Sequence, residues 1–182
     1  MLTSWAKKVF NLGGATNVIP TTGAIQTASI TAKHYDGTDI YIAGNPYAQP
    51  WTSFVAGAVA TESAGIVVGS GDTAASESDY ALANKITSGL SASVTQSTAY
   101  DSDTGKTSAY SVVTLSTSTG DDIVIKEIGC YAVFGTATEL GGTISTGGGR
   151  RKCALVDRTV LETPVTVPAN GNAVIRYSFV FN

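Results

Sequence analysis

The stretch Gly65-Ile-Val-Val-Gly-Ser-Gly-Asp-Thr-Ala74 (GIVVGSGDTA) admits two folds. In one, the apolar run 65–68 is a strand entering G-x-G-x-x-[G/A], the turn of a dinucleotide-binding βαβ unit. In the other, the glycines mark a tight turn after an ordinary strand. A βαβ unit needs a helix behind the turn and an acid about 20 residues further on for the ribose. Here Ala-Ser-Glu-Ser-Asp79-Tyr follows, and the only helix-like piece, Tyr80 to Ile86, ends before Gly89. No acid occurs between Asp79 and Asp101. The turn reading prevails, with Asp72 and Ser76 expected to cap local backbone and no cofactor required.

Downstream the pattern is β. Ser111–Ser118 interleaves apolar residues with hydroxyls and closes at Gly120-Asp121-Asp122. In the next strand Ile123 and Ile125 share a face. After Lys126-Glu127 the phase slips, so that Ile128, Cys130, Ala132 and Phe134 share one, as a β-bulge would produce. The runs Ala154–Val156 and Thr159–Leu161 flank Asp157-Arg158. Pro164–Pro168 suits an edge strand, and Ala169-Asn-Gly-Asn172 has hairpin-turn chemistry. The last strand alternates Ile175, Tyr177, Phe179 and Phe181 against Arg176 and Ser178. Short strands with regular turn signals predict a sandwich or barrel.

Upstream, residues 1–55 read as an arm and 56–182 as the β domain. Trp5, Val9 and Leu12, capped by Thr3 or Ser4 and stopped by Gly13-Gly14, predict a short helix. Ile25–His34 and Asp39–Ala43 read as short strands separated at Asp36-Gly37.

The 182 residues carry 43% hydrophobic but only 14% charged side chains, with a net charge of −3. Soluble monomers carry about a quarter charged residues, and little net charge favours association. The acidic balance argues against nucleic acid as partner. No run is long enough for a transmembrane helix, no signal peptide is evident, and membrane is not expected as a partner. Cys130 and Cys153 are expected to be buried thiols.

Chemistry-bearing patterns fare poorly. Asp101-Ser-Asp-Thr-Gly105 opens like a calcium loop, but Lys106 and Val112 stand where Gly and Glu are needed, so a hairpin tip is expected and no metal site. The one histidine, His34, is the only base available to a serine triad, and no nucleophile elbow exists; as a lone histidine beside a turn it is expected at the surface. No catalytic residues are assigned and an enzyme is not expected. Gly147–Gly149 before Arg150, Arg151 and Lys152 reads as a loop whose charges meet a neighbouring subunit's acids, rather than as an anion site.

Five segments together resemble small structural proteins of tailed bacteriophages: Gly69-Ser-Gly-Asp-Thr73, Asp79-Tyr-Ala-Leu82, Ile125-Lys-Glu-Ile-Gly129 with Tyr131, Asp157-Arg-Thr-Val-Leu161 with Pro164–Val167, and Arg176–Phe179. The match covers about residues 64–182. The resemblance implies a jelly-roll-like antiparallel β-sandwich with an extended N-terminal arm, assembling in the host cytoplasm into an oligomeric tail or fibre-attachment part of the virion. Its partners would be copies of itself and other virion proteins. Capsid decoration is the alternative within the same class. A carbohydrate-binding module, using Tyr100, Tyr110 and Tyr131, is the alternative of another class. Interfaces draw on aromatic anchors, and the arm offers Trp5, Phe10, Tyr35, Tyr41, Tyr47, Trp51 and Phe54; with Arg150, Arg151 and Lys152 these are the candidate subunit contacts.

Overall fold

The computed structural model describes residues 1–3, 31–43, 52–136 and 151–181. Among them there is no helix, and eight strands form two antiparallel sheets. The strands are β1 (Thr31–Lys33), β2 (Asp39–Ala43), β3 (Gly65–Gly69), β4 (Leu90–Asp101), β5 (Lys106–Thr117), β6 (Ile123–Thr136), β7 (Arg151–Val167) and β8 (Asn172–Phe181). The expected helix and the strand start at 25–30 lie outside the described residues.

β6 is the hub of the first sheet. It pairs with β3 from Gly65↔Tyr131 to Gly69↔Glu127, with β7 along most of its length, and with β2 at Ile42↔Thr136. The second sheet runs β4-β5-β8. β3 and β6 are neighbours although the β4–β5 hairpin between them lies in the other sheet. β5 and β8 likewise enclose β6–β7. These are Greek-key returns, in which a strand rejoins its sheet after a hairpin elsewhere.

Alternation along each strand explains the core. Ile66, Val68, Ile125, Ile128, Cys130 and Val156 from the first sheet meet Val113, Leu115, Ile175 and Tyr177 from the second in one buried cluster. The opposite face of the first sheet is not left to solvent. Val67, Tyr131, Val133, Cys153 and Leu155 form a second cluster, covered by Leu82, Val55 and Val59 from irregular segments. Burial on both faces is why GIVVG is apolar throughout instead of alternating.

The predicted slip in β6 is present: the β6–β7 register shifts between Ile125 and Glu127. A second shift, between Cys130 and Tyr131, sets Val156 as an extra residue on β7. Gly129 is required beside it, since a Cβ there would lie 2.5 Å from the Asp157 carbonyl oxygen. The runs flanking Asp157-Arg158 belong to a single strand. Both residues are buried inside one continuous β7, because their charges have partners within the fold. The edge reading of 164–167 agrees with β7, whose Val165–Val167 pair only with β6 among the described residues. Pro164 falls in the register shift, where no ladder bond is lost.

The turn at 169–172 holds Asn170 at φ 51° as its chemistry predicts, yet it makes no hairpin. It carries the chain from β7 in one sheet to β8 in the other. Asp101–Gly105 is the hairpin tip expected. Asp101 accepts from the Asp103 and Thr104 amides and the Thr104 hydroxyl, and Gly105 takes φ 68°.

Candidate functional site

The turn after β3 encloses a carboxylate supplied by the protein. Glu127 projects from β6 opposite Gly69 and is 0% exposed. Its Oε1 accepts from the Gly71 amide (3.1 Å) and the Asn84 amide (2.7 Å). Its Oε2 accepts from the Ala83 amide (3.0 Å) and Arg158 Nε (2.7 Å). A Cβ on Gly69 or on Gly71 would stand 2.5 Å from Oε1. The G-x-G spacing therefore leaves room for Glu127.

Arg158, across the β6–β7 pair, extends the network outward. Its Nη1 donates to Asp79 Oδ2 (2.8 Å) and Nη2 to the Thr73 carbonyl (2.7 Å). Burial works against the guanidinium's charge, but Asp79 and Glu127 outweigh it and hold its pKa above the usual value. Asp79 Oδ2 also accepts from the Ser76 amide, and Lys126 pairs with Asp72 at 2.9 Å. Ser76 caps its own turn through the Ser78 amide. Asp72 pairs across to β6 with Lys126, and its own backbone amide also hydrogen-bonds its carboxylate, in keeping with the expected local cap.

The network also explains why Tyr80–Ile86 is not a helix. The Ala83 and Asn84 amides are donated to Glu127 and the Ile86 amide to the Val68 carbonyl. A helix would have needed them internally. Both carboxylate oxygens of Glu127 have two donors each. A carboxylate so saturated holds its loop in place and has little capacity left for a substrate.

A second polar cluster lies in the main core. Asp157 Oδ2 accepts from Tyr177 Oη (2.5 Å), and Oδ1 lies 2.9 Å from the Met1 ammonium. Met1 also donates to the Arg158 carbonyl, and the Thr3 amide to the Val156 carbonyl, so residues 1–3 lie along β7. Tyr177 Oη lies 3.7 Å from Cys130 Sγ. Cys130 and Cys153 are free thiols, as expected, one in each hydrophobic cluster. Burial pushes Cys130 up to about 12 and Cys153 up to about 11.

The sequence-predicted contacts are dispersed. Tyr35 packs against the second cluster with its ring 4.1 Å from that of His34, and Phe54 packs against the main core and bridges Ile66. Both therefore rest on their own domain. Lys152 is partly buried near the start of β7, while Tyr41 and Arg151 are placed by backbone alone. Trp5, Phe10, Tyr47, Trp51 and Arg150 lie outside the described residues. His34 is not at the surface. It is 2% exposed and bridges Ala154 on β7, with Nδ1 3.2 Å from Asp36. Of the tyrosines considered for a glycan platform, Tyr131 is buried beneath 70–86 and donates to the Tyr80 carbonyl. Tyr110 is covered by Arg176 at 3.8 Å, and only Tyr100 is widely exposed. No group of metal-type ligands occurs among the described residues.

Sequence reasoning did not foresee the Glu127–Arg158 pair. The available signal was a Lys-Glu inside an apolar strand and an Asp-Arg inside another, charges that a β-sheet interior tolerates only when paired. Comparison of the chain with protein-family models, with curated proteins and with solved structures finds no match.

Proposed function

We propose that the protein is a structural component of a tailed-bacteriophage virion. It would be an oligomeric tail or fibre-attachment part that acts by assembly and carries no catalytic centre. The observation that carries this reading is the convergence of the resembling segments. Gly71, Thr73 and Asp79 meet Glu127 and Arg158 in one saturated network that fixes a loop to a sheet, with the Asp72–Lys126 pair beside it. Motifs recurring for catalysis would keep a reactive group open to a cleft; these are spent on architecture.

The Greek-key returns between two facing sheets support the jelly-roll-like form of the sandwich. The low charge supports a surface covered by neighbours. In this reading the N-terminal arm anchors each subunit to the next, at the high effective concentration that tethering provides. With Tyr35 and Phe54 turned to their own domain, Trp5 and Trp51 are the principal anchors. The test is a Trp5→Ala/Trp51→Ala variant of the full chain, followed by light scattering and thermal unfolding. The expected result is a smaller particle that still unfolds cooperatively. An unchanged assembly would remove the arm from the interface.

A further inference from the structure

We infer that the outer edge of β4 is a pairing surface for β4 of a second copy of this chain, joined antiparallel about a twofold axis close to Thr95. This deepens the proposed homo-oligomer and rests on that reading.

β4 ends the second sheet, and its outer edge has no partner among the described residues. The strand pairs with β5 from Leu90↔Thr117 to Asp101↔Lys106 without a register shift, so its edge is regular over 12 residues. Proteins normally blunt such an edge with lysine, proline or a bulge, because unpaired amides and carbonyls in a row template another strand. Leu90-Ser-Ala-Ser-Val-Thr-Gln-Ser-Thr-Ala-Tyr-Asp101 has none of these devices, and its single charge is Asp101 at the tip. Residues 95–101 are all exposed.

Charge and side-chain pairing choose the orientation. A parallel, in-register pair would set Asp101 against Asp101. An antiparallel pair centred on Thr95 places the two Asp101 residues at opposite ends, each facing Gly89. Ser93 then faces Ser97, Ala92 faces Thr98, and Tyr100 faces Leu90. Cross-strand hydroxyl pairs and aromatic–aliphatic pairs are favourable. Tyr100, 69% exposed, gains an apolar neighbour in Leu90, which already leans on the core. The β4-β5-β8 sheets of two subunits become one six-stranded sheet.

Thr95 is exposed, so its side chain can be changed without touching the ladder to β5. In the full-length protein Thr95→Lys sets two like charges across the axis. The expected result is an at least tenfold weaker association by light scattering with unchanged thermal unfolding, a similar loss in Thr95→Asp, and recovery when the two variants are mixed. A spin label on Ser102→Cys should report a separation of roughly 45 Å between tips, from the rise per residue of paired strands; Cys130 and Cys153, both buried, stay unlabelled. An assembly that persists unchanged in Thr95→Lys, or tips close together, overturns the β4 pairing while leaving the oligomer standing. A wild-type protein that is monomeric at every concentration overturns both.

Discussion

Glu127 shows what a single residue decides. An isolated buried carboxylate would be driven toward its neutral form, and breaking a buried ion pair leaves such a charge behind. Glu127→Gln keeps the shape but turns an amide NH2 toward backbone donors and weakens the hold on Arg158. It is expected to cost about 3–5 kcal/mol, read as a lower urea midpoint. Gly71→Ala places a methyl against Oε1, the Ala83 side chain and the Asn84 amide. It is expected to cost roughly 1–3 kcal/mol. Because both changes act on one contact, their sum should exceed the cost of the double variant. Additive costs would mean that the glycine serves some other need. The thiols supply a pH prediction. With Cys130 near 12 and Cys153 near 11 against an ordinary value of 9.0, the folded state keeps protons that the unfolded chain releases. Above about pH 9 the unfolded state binds fewer protons, so stability falls as pH rises toward 11–12. Urea titrations between pH 8 and 11 should show that decline, and replacing Cys153 by Ala should reduce its slope.

At the level of elements, the alternation of β5, β6 and β8 was legible in the sequence, since each buries one face in the main core. The slip at Lys126-Glu127 was legible too, because a change of hydrophobic phase has few other causes. β4 was not singled out: beyond Val94 it alternates only hydroxyls, alanine, glutamine and tyrosine, which mark no buried face. The continuity of β7 was not legible at Asp157-Arg158, whose polarity is explained only by partners on β6, on β8 and in the segment after β3. Gly129 belongs to the same scale, for its missing side chain lets β7 bulge against β6. Gly129→Ala is expected to lower stability by roughly 1–3 kcal/mol and to speed amide exchange along the 151–158 half of β7. Exchange unchanged there would show that the bulge needs no glycine.

Over the whole molecule, the sequence conveyed separately four pieces that the structure brings together. Glycine turns, a DY pair, an embedded KE and an embedded DR lie up to 89 positions apart, from Gly69 to Arg158. No local pattern relates them, because a network assembled by a Greek key pairs residues through topology and not through spacing. Once joined, they account for the loop that covers the far face of the first sheet, while the β4 edge, unpaired among the described residues, is where the proposed assembly would add a strand. Assembly is the central claim, and the mass of the full-length protein tests it most directly. Light scattering over a hundredfold range of concentration should give a whole multiple of the chain mass, of even order if β4 pairs as proposed. A single-chain mass across that range would contradict the account.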